Sequence, residues 1–122
     1  MILSVEEREK IKEFDKCAFY SGDWDSFREL TSADSKYDII MTSETIYNPE
    51  NYAKLLNFFK SRLKSDGKIF LSAKSYYFGC DGNMLDFCKA LDKEGSFSYE
   101  TVWKAEEGLQ REILLIKFKK NE

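Results

Sequence analysis

Glu44 and Tyr47 are the residues of this chain best placed to do chemistry. They stand three apart in Glu44-Thr45-Ile46-Tyr47, after the apolar run Ile39-Ile40-Met41 and before Asn48-Pro49. A carboxylate that can accept a hydrogen bond and a phenol thus share a polar segment between a strand and a helix. The end of a strand just before a helix is where open α/β sheets place their ligands. The bland alternative is a polar strand end whose carboxylate faces water. Two further groups invite the same question. Ser21-Gly22-Asp23-Trp24 is a glycine-containing turn, and Lys74 and Tyr77 lie at the close of a second apolar run, Ile69-Phe70-Leu71.

The elements that must position these residues follow from patterning. Tyr37 to Ser43 reads as a strand covered on both faces, because its apolar residues do not alternate strictly. Asn48 reads as an N-cap and Pro49 as the first helical residue. Tyr52, Leu55, Leu56, Phe59 and Leu63 recur at helical spacing, which predicts a helix over 49–65 with Gly67 as a left-handed cap. Lys68 to Lys74 is a second inner strand. Met84, Leu85, Phe87, Cys88 and Leu91 make a further amphipathic helix ended by Gly95. Phe97–Lys104 and Arg111–Lys119 are strands joined by Glu106-Glu107-Gly108, too short for a crossover, so they pair antiparallel. In the first of them Phe97, Tyr99, Thr101 and Trp103 should share a side. Before all these come a charged helix from Ser4 to about Asp15, a short strand at Cys17-Ala18-Phe19-Tyr20, and a helix over Trp24–Leu30 capped by Asp23 or Asp25. Alternation of this kind predicts an α/β domain with a parallel sheet, helices on both faces and a terminal antiparallel pair.

Composition narrows the chemistry. The 122 residues form a single domain by length, 43% hydrophobic, with net charge −3 from 19 basic and 22 acidic side chains. That balance argues against a general nucleic-acid footprint, although a local basic patch survives it; Lys117, Lys119 and Lys120 read as a solvated strand face. No apolar run approaches the length of about 18 residues that a membrane helix needs. The three cysteines, Cys17, Cys80 and Cys88, lack Cys-x-x-Cys spacing, which argues against zinc and disulfides and for a reducing compartment, cytoplasm or nucleus. There is no histidine. Ser-His-Asp and Cys-His catalysis are therefore excluded within this chain, as are imidazole metal sites, and no metal is expected.

Parallel βα units followed by an antiparallel pair resemble the C-terminal portion of the class I S-adenosylmethionine-dependent methyltransferase fold, a Rossmann-like sheet. Ser21-Gly22-Asp23-Trp24, the run Tyr37 to Pro49 with its Ser43-Glu44-Thr45-Ile46-Tyr47-Asn48, Lys74-Ser75-Tyr76-Tyr77-Phe78-Gly79, and Glu107-Gly108-Leu109-Gln110-Arg111 together resemble the protein-histidine methyltransferases. The resemblance runs over roughly residues 17 to 119.

What it implies is specific. Glu44 and Tyr47 would be catalytic: Glu44 would accept a hydrogen bond from one ring N–H of the acceptor imidazole, leaving the other nitrogen neutral for methylation, and Tyr47 would pack against the ring or fix its edge. Ser21, Gly22, Asp23 and Trp24 would lie beside the adenine of S-adenosylmethionine, with Thr42 and Ser43 also at the cofactor. Asn48, Lys74 and Tyr77 would touch substrate, although helix capping alone explains Asn48. The substrate class would be a protein, in the family commonly a ribosomal protein. The chain lacks the glycine-rich first loop and the acidic ribose residue of such enzymes, and Asp81-Gly82-Asn83 stands where the family has a run of glycines. A truncated form, inactive alone, is therefore expected, with an open sheet edge prone to self-association; the rival reading is a non-catalytic protein-binding module.

Overall fold

The sheet is built outward from one strand. In the computed structural model, which describes residues 17–31, 34–75, 79, 82–108 and 110–120, Leu63–Lys74 (β2) has Tyr37–Ser43 (β1) on one side and Arg111–Phe118 (β4) on the other. Phe97–Lys104 (β3) pairs with the far side of β4, giving the order β1-β2-β4-β3. β1 runs parallel to β2, whereas β2–β4 and β3–β4 are antiparallel. A parallel pair followed by an antiparallel hairpin is the arrangement that the resemblance implies. The helices are Trp24–Leu30 (α1), Tyr52–Arg62 (α2), preceded by a 3-10 turn at Pro49–Asn51, and Met84–Glu94 (α3).

Period-two burial decides which face is the core. Ile69, Leu71 and Ala73 of β2 are fully buried beside Leu114 and Ile116 of β4, and the apolar faces of α2 and α3 pack there through Leu55, Phe59, Phe87 and Leu91. The other face of the sheet holds Ile39 and Met41 of β1, which stay 57% and 80% exposed. Among the described residues, helices pack on one face of the sheet only. The expectation of a β1 covered on both faces is thus corrected: Tyr37, Ile39 and Met41 lie open, and only Ile40 joins the core.

Three boundaries differ from the sequence reading. Residues 17–20 are described and exposed and form no strand, so β1 is an edge strand among the described residues. α2 stops at Arg62 because Leu63 turns to extended backbone and drives its side chain into the core. Gly67 lies within β2, not in a left-handed cap. Its lack of a side chain serves close packing, since a Cβ there would sit 2.5 Å from Leu63 Cδ1. The extra residues of β2 appear as a register shift between Tyr37↔Leu63 and Ile39↔Lys68. A bulge between Thr101 and Trp103 turns Trp103 out of line with Phe97, leaving it 51% exposed. The helix expected over 4–15 lies outside the described residues.

Other expectations match. Asp23 caps α1 by accepting from the Ser26 N–H at 2.8 Å. Asn48 caps the turn before α2, and Gly95 ends α3 in the left-handed region at φ 86°. Arg62 is buried, and its Nη2 donates to the Arg28 and Thr31 carbonyls at 2.9 and 3.0 Å. It thereby satisfies the end of α1, whose Trp24 and Phe27 rings pack on Phe58.

Phe59→Ala should destabilise the chain by about 3–5 kcal/mol, because it empties a fully buried ring site. Met41→Ala should change stability by no more than about 0.5 kcal/mol. Urea unfolding of both variants checks the assignment of faces; an equal loss at Met41 would mean that the outer face is covered.

Candidate functional site

The C-terminal ends of β1 and β2 and the start of β4 meet at one end of the sheet. Ser43 pairs with Ser72 and Lys74 with Arg111, so these ends form one continuous edge. The chain leaves β1 through Glu44, whose N–H donates to the Ser72 carbonyl at 3.0 Å. Glu44 has φ 58°, the only positive φ among the described residues other than glycine. A side chain in that region costs on the order of 1 kcal/mol, and such outliers persist where the surroundings over-determine them.

The surroundings do so here. Arg111 Nη1 donates to Glu44 Oε1 at 3.0 Å, so β4 holds a carboxylate that leaves the sheet from β1. The Thr42 and Thr45 hydroxyls meet at 3.0 Å across the bend. Ile46 is fully buried and anchors the loop, while the Tyr47 side chain remains 49% exposed. The Ile46 carbonyl accepts from the Tyr52 hydroxyl at 2.7 Å, and that hydroxyl also accepts from the Asn83 N–H at 3.2 Å. Burial pushes the Tyr52 phenol above its ordinary value. Gly82 donates its N–H to the Tyr47 carbonyl at 3.0 Å, an approach so close that any Cβ at 82 would lie 2.2 Å from the Ile46 oxygen. The loop after β1 is therefore fastened to the N-terminus of α3, where Asn83 caps the helix by accepting from the Asp86 N–H at 2.8 Å.

The expected site residues are placed as follows. Glu44, Lys74 and the Thr42–Ser43 strand end share the edge just described. The Asn48 side chain accepts from the Glu50 N–H at 3.1 Å, which is its capping role. Ser21 to Trp24 reach the same end of the molecule, because Asp23 pairs at 3.6 Å with Lys54 in the first turn of α2. Asp23 is held below the usual carboxylate range, chiefly by the Ser26 backbone N–H. Gly22 has φ 139°, and Trp24 is half-buried against Phe58 at 5.4 Å. Tyr77 lies outside the described residues. Arg111 and Tyr52 carry the geometry without having been singled out for it. The signal for Arg111 was its place after Gly108 at the start of the last strand; 67 residues separate it from Glu44.

Elsewhere the chemistry is quiet. Burial pushes the Cys88 thiol up to about 11, so it stays protonated near neutrality. Among the described residues no group of three Cys, Asp or Glu side chains is placed to hold a metal ion, and no helix is long and apolar enough to cross a membrane.

Comparisons with known proteins find sequence relatives and a structural neighbour. Over 111 residues the chain is 38% identical to the histidine protein methyltransferase 1 homolog of Mus musculus, covering 88% of this chain. It is 38% identical to the Bos taurus protein of the same name over 112 residues, and 36% to that of Dictyostelium discoideum over 111. The chain is thus similar, over most of its own length, to one stretch of the histidine protein methyltransferase 1 homologs. It spans 31%, 30% and 36% of the length of those three relatives. The crystal structure of the PH0226 protein from Pyrococcus horikoshii OT3 shares the fold, with TM-score 0.59 over 95% of this chain and 68% of that one, at 14% identity. No protein-family model matches.

Gly82→Ala should be the more damaging change at this site, since backbone stands where its Cβ would go. Tyr52→Phe should cost about 1–3 kcal/mol by leaving the Ile46 carbonyl and Asn83 N–H unpaired. Thermal unfolding ranks the two; a neutral Gly82→Ala would mean that the loop after β1 is not fastened as described.

Proposed function

We infer that this chain supplies the acceptor-side, C-terminal portion of an S-adenosylmethionine-dependent protein-histidine methyltransferase. The observation that carries the reading is Glu44 itself. It is held in a rare backbone conformation at a strand end and fixed by Arg111 from a distant strand. Its relatives' names supply the chemistry.

The residues present fit one side of a cofactor site. The Ser21–Trp24 turn offers an exposed carboxylate and a half-buried indole at the same end of the molecule as Glu44, while no Gly-x-Gly loop is found in this chain for a methionine end. S-adenosylmethionine, when bound, supplies an electrophilic methyl group. What this chain's residues do is orient the acceptor. An imidazole attacks only through an unprotonated nitrogen, and a carboxylate that accepts from the opposite ring N–H selects that tautomer. Arg111 holds the Glu44 carboxylate in place, so positioning does not wait on substrate. Tyr47, exposed on the same loop, offers a face for the ring, and Lys74 stands beside Arg111 at the substrate edge. The substrate is a protein, with ribosomal proteins as the first class to try. The chain alone is inactive in this reading.

A second reading rests on the open edge of β1 and the exposed Ile39 and Met41: a non-catalytic module that binds protein, or a second copy, by strand addition.

Calorimetric titration of the folded chain with S-adenosylhomocysteine separates the outcomes. No binding is expected from this chain alone. Micromolar binding, about −8 kcal/mol, would show that the chain holds the cofactor unaided. In a chimera where this chain replaces the matched residues of the Mus musculus protein, Glu44→Gln should lower turnover about a hundredfold. Unchanged turnover would remove Glu44 from the mechanism.

A further inference from the structure

The face of the sheet turned away from α2 and α3 carries an apolar band across all four strands. The register sets Met41 of β1 beside Phe70 of β2, Phe70 beside Leu115 of β4, and Ile113 of β4 beside Trp103 of β3. Alternation puts these side chains opposite Ile69, Leu71, Leu114 and Ile116, which are buried under the helices. The bulge between Thr101 and Trp103 is what brings Trp103 onto this face, as bulges re-aim the side chains beside them. Phe70, Ile113 and Leu115 are half-buried. The two central strands thus carry half-buried apolar side chains, flanked by the exposed Met41 on β1 and Trp103 on β3.

Dimensions and charge describe what fits this band. From β1 to β3 the sheet spans three inter-strand spacings, about 14 Å, against a helix diameter of about 10–12 Å. Along β2, Lys68 to Lys74 covers about 20 Å, the length of about 13 helical residues. At one end of the band stand Lys68, paired in register with Ile39, and Lys117, paired with Ser98. Among the described residues neither has a carboxylate within ion-pair distance. Lys74 and Arg111 stand at the other end. Among the register-paired residues on this face Glu100 is the one acid. The surface is therefore apolar in the middle and basic at both ends.

We propose that this face receives an amphipathic α-helix of another polypeptide, with an apolar stripe against Phe70, Ile113 and Leu115 and acidic residues against Lys68 and Lys117. Strands that pair in parallel, as β1 and β2 do, are ordinarily covered on both faces, and helices do the covering. An amphipathic helix laid on apolar surface is also a recurring mode of recognition between chains. A second copy suits the surface poorly: two such faces set together would bring cations against cations at both ends, with Glu100 alone to offset them. An anionic bilayer would meet the net charge of −3 on the chain as a whole, whereas a helix places its acids only where the lysines stand. Strand addition at β1 would use the outward amides of that strand and leave Trp103 and Lys117 untouched, so mutation separates the two modes. The docking does not depend on the methyl-transfer reading.

The test is fluorescence anisotropy of the full chain with a labelled peptide of about 18 residues, long enough to be helical. It carries leucine at i, i+3, i+4 and i+7 with glutamate beside that stripe; its counterpart has lysine in place of glutamate. The glutamate peptide should bind with a micromolar Kd that weakens as salt is raised, and the lysine peptide at least tenfold more weakly. Lys68→Glu/Lys117→Glu should weaken the glutamate peptide at least tenfold and strengthen the lysine peptide. Trp103→Ala should cost severalfold, and Lys89→Glu, on the exposed side of α3, should change neither peptide. All these positions are exposed, so none of the changes empties the core. No binding of the glutamate peptide, equal binding of the two peptides, or equal binding by the charge-reversed chain and Lys89→Glu would each overturn the proposal. So would phosphatidylserine vesicles that displace the peptide, or dimers in light scattering that exclude it, since another occupant would then hold the face. Slow peroxide oxidation of Met41 in the free chain would overturn it too, by showing that this chain covers the face itself.

Discussion

The Tyr52 phenol holds separate pieces of backbone in one place. It donates to the Ile46 carbonyl in the loop after β1 and accepts from the N–H of Asn83 at the start of α3. Its ring packs edge-on against Phe87 at 5.2 Å, inside the core. A buried hydroxyl in that position leaves little freedom, because any shift of the loop strands a polar group where water does not reach it. The strained Glu44 backbone, the Gly82–Tyr47 approach and the cap of α3 all lean on that constraint. Glu44 is therefore fixed from two directions, through the core by way of Ile46 and across the strand ends by Arg111.

The sheet as a whole is asymmetric. One face carries α2 and α3 and nearly all the fully buried side chains; the other presents Ile39 and Met41. The two ends differ as well. One gathers Glu44, Lys74 and Arg111 with the Asp23 turn nearby, and the other carries Lys36, Lys60, Lys119 and Lys120 around a concavity that Phe118 also lines. The chain spans about a third of its relatives, and what this stretch holds is a single-faced core, the strand-end edge around Glu44 and an antiparallel strand pair.

Local patterns made much of this legible in the sequence. The spacing of Tyr52, Leu55, Leu56 and Phe59 gives α2, Asn48-Pro49 gives its start, Asp23 the start of α1, and Gly95 the end of α3. What the patterns miss depends on contacts far along the chain. Phe58 and Arg62 are buried only because α1 folds back onto α2, which widens its apolar face. Asp66-Gly67 reads as a helix stop, yet Leu63 has already turned into the core and Gly67 is needed to pack against it. Cys17 to Tyr20 has the composition of a strand, and composition carries no information about whether a neighbouring edge is available. The Glu44–Arg111 pair joins β1 to β4 across the end of β2, a proximity that only the strand order creates. The family resemblance located Glu44; it did not reveal what holds it.

Among the described residues β1 is bonded on one side only, which gives its backbone an alternating character. The Glu44 N–H bonds inward to Ser72, and along an extended strand each successive amide reverses direction. The amides of Ile40, Thr42 and Glu44 therefore face β2, while those of Ile39, Met41 and Ser43 point away from it. In solvent exchange this strand would show a two-residue rhythm, with slow and fast sites interleaved, whereas β2, bonded on both sides, would be slow at consecutive positions. The outward amides, together with the exposed Ile39 and Met41 side chains, present a row of donors beside apolar surface, which is the pattern that another strand recognises.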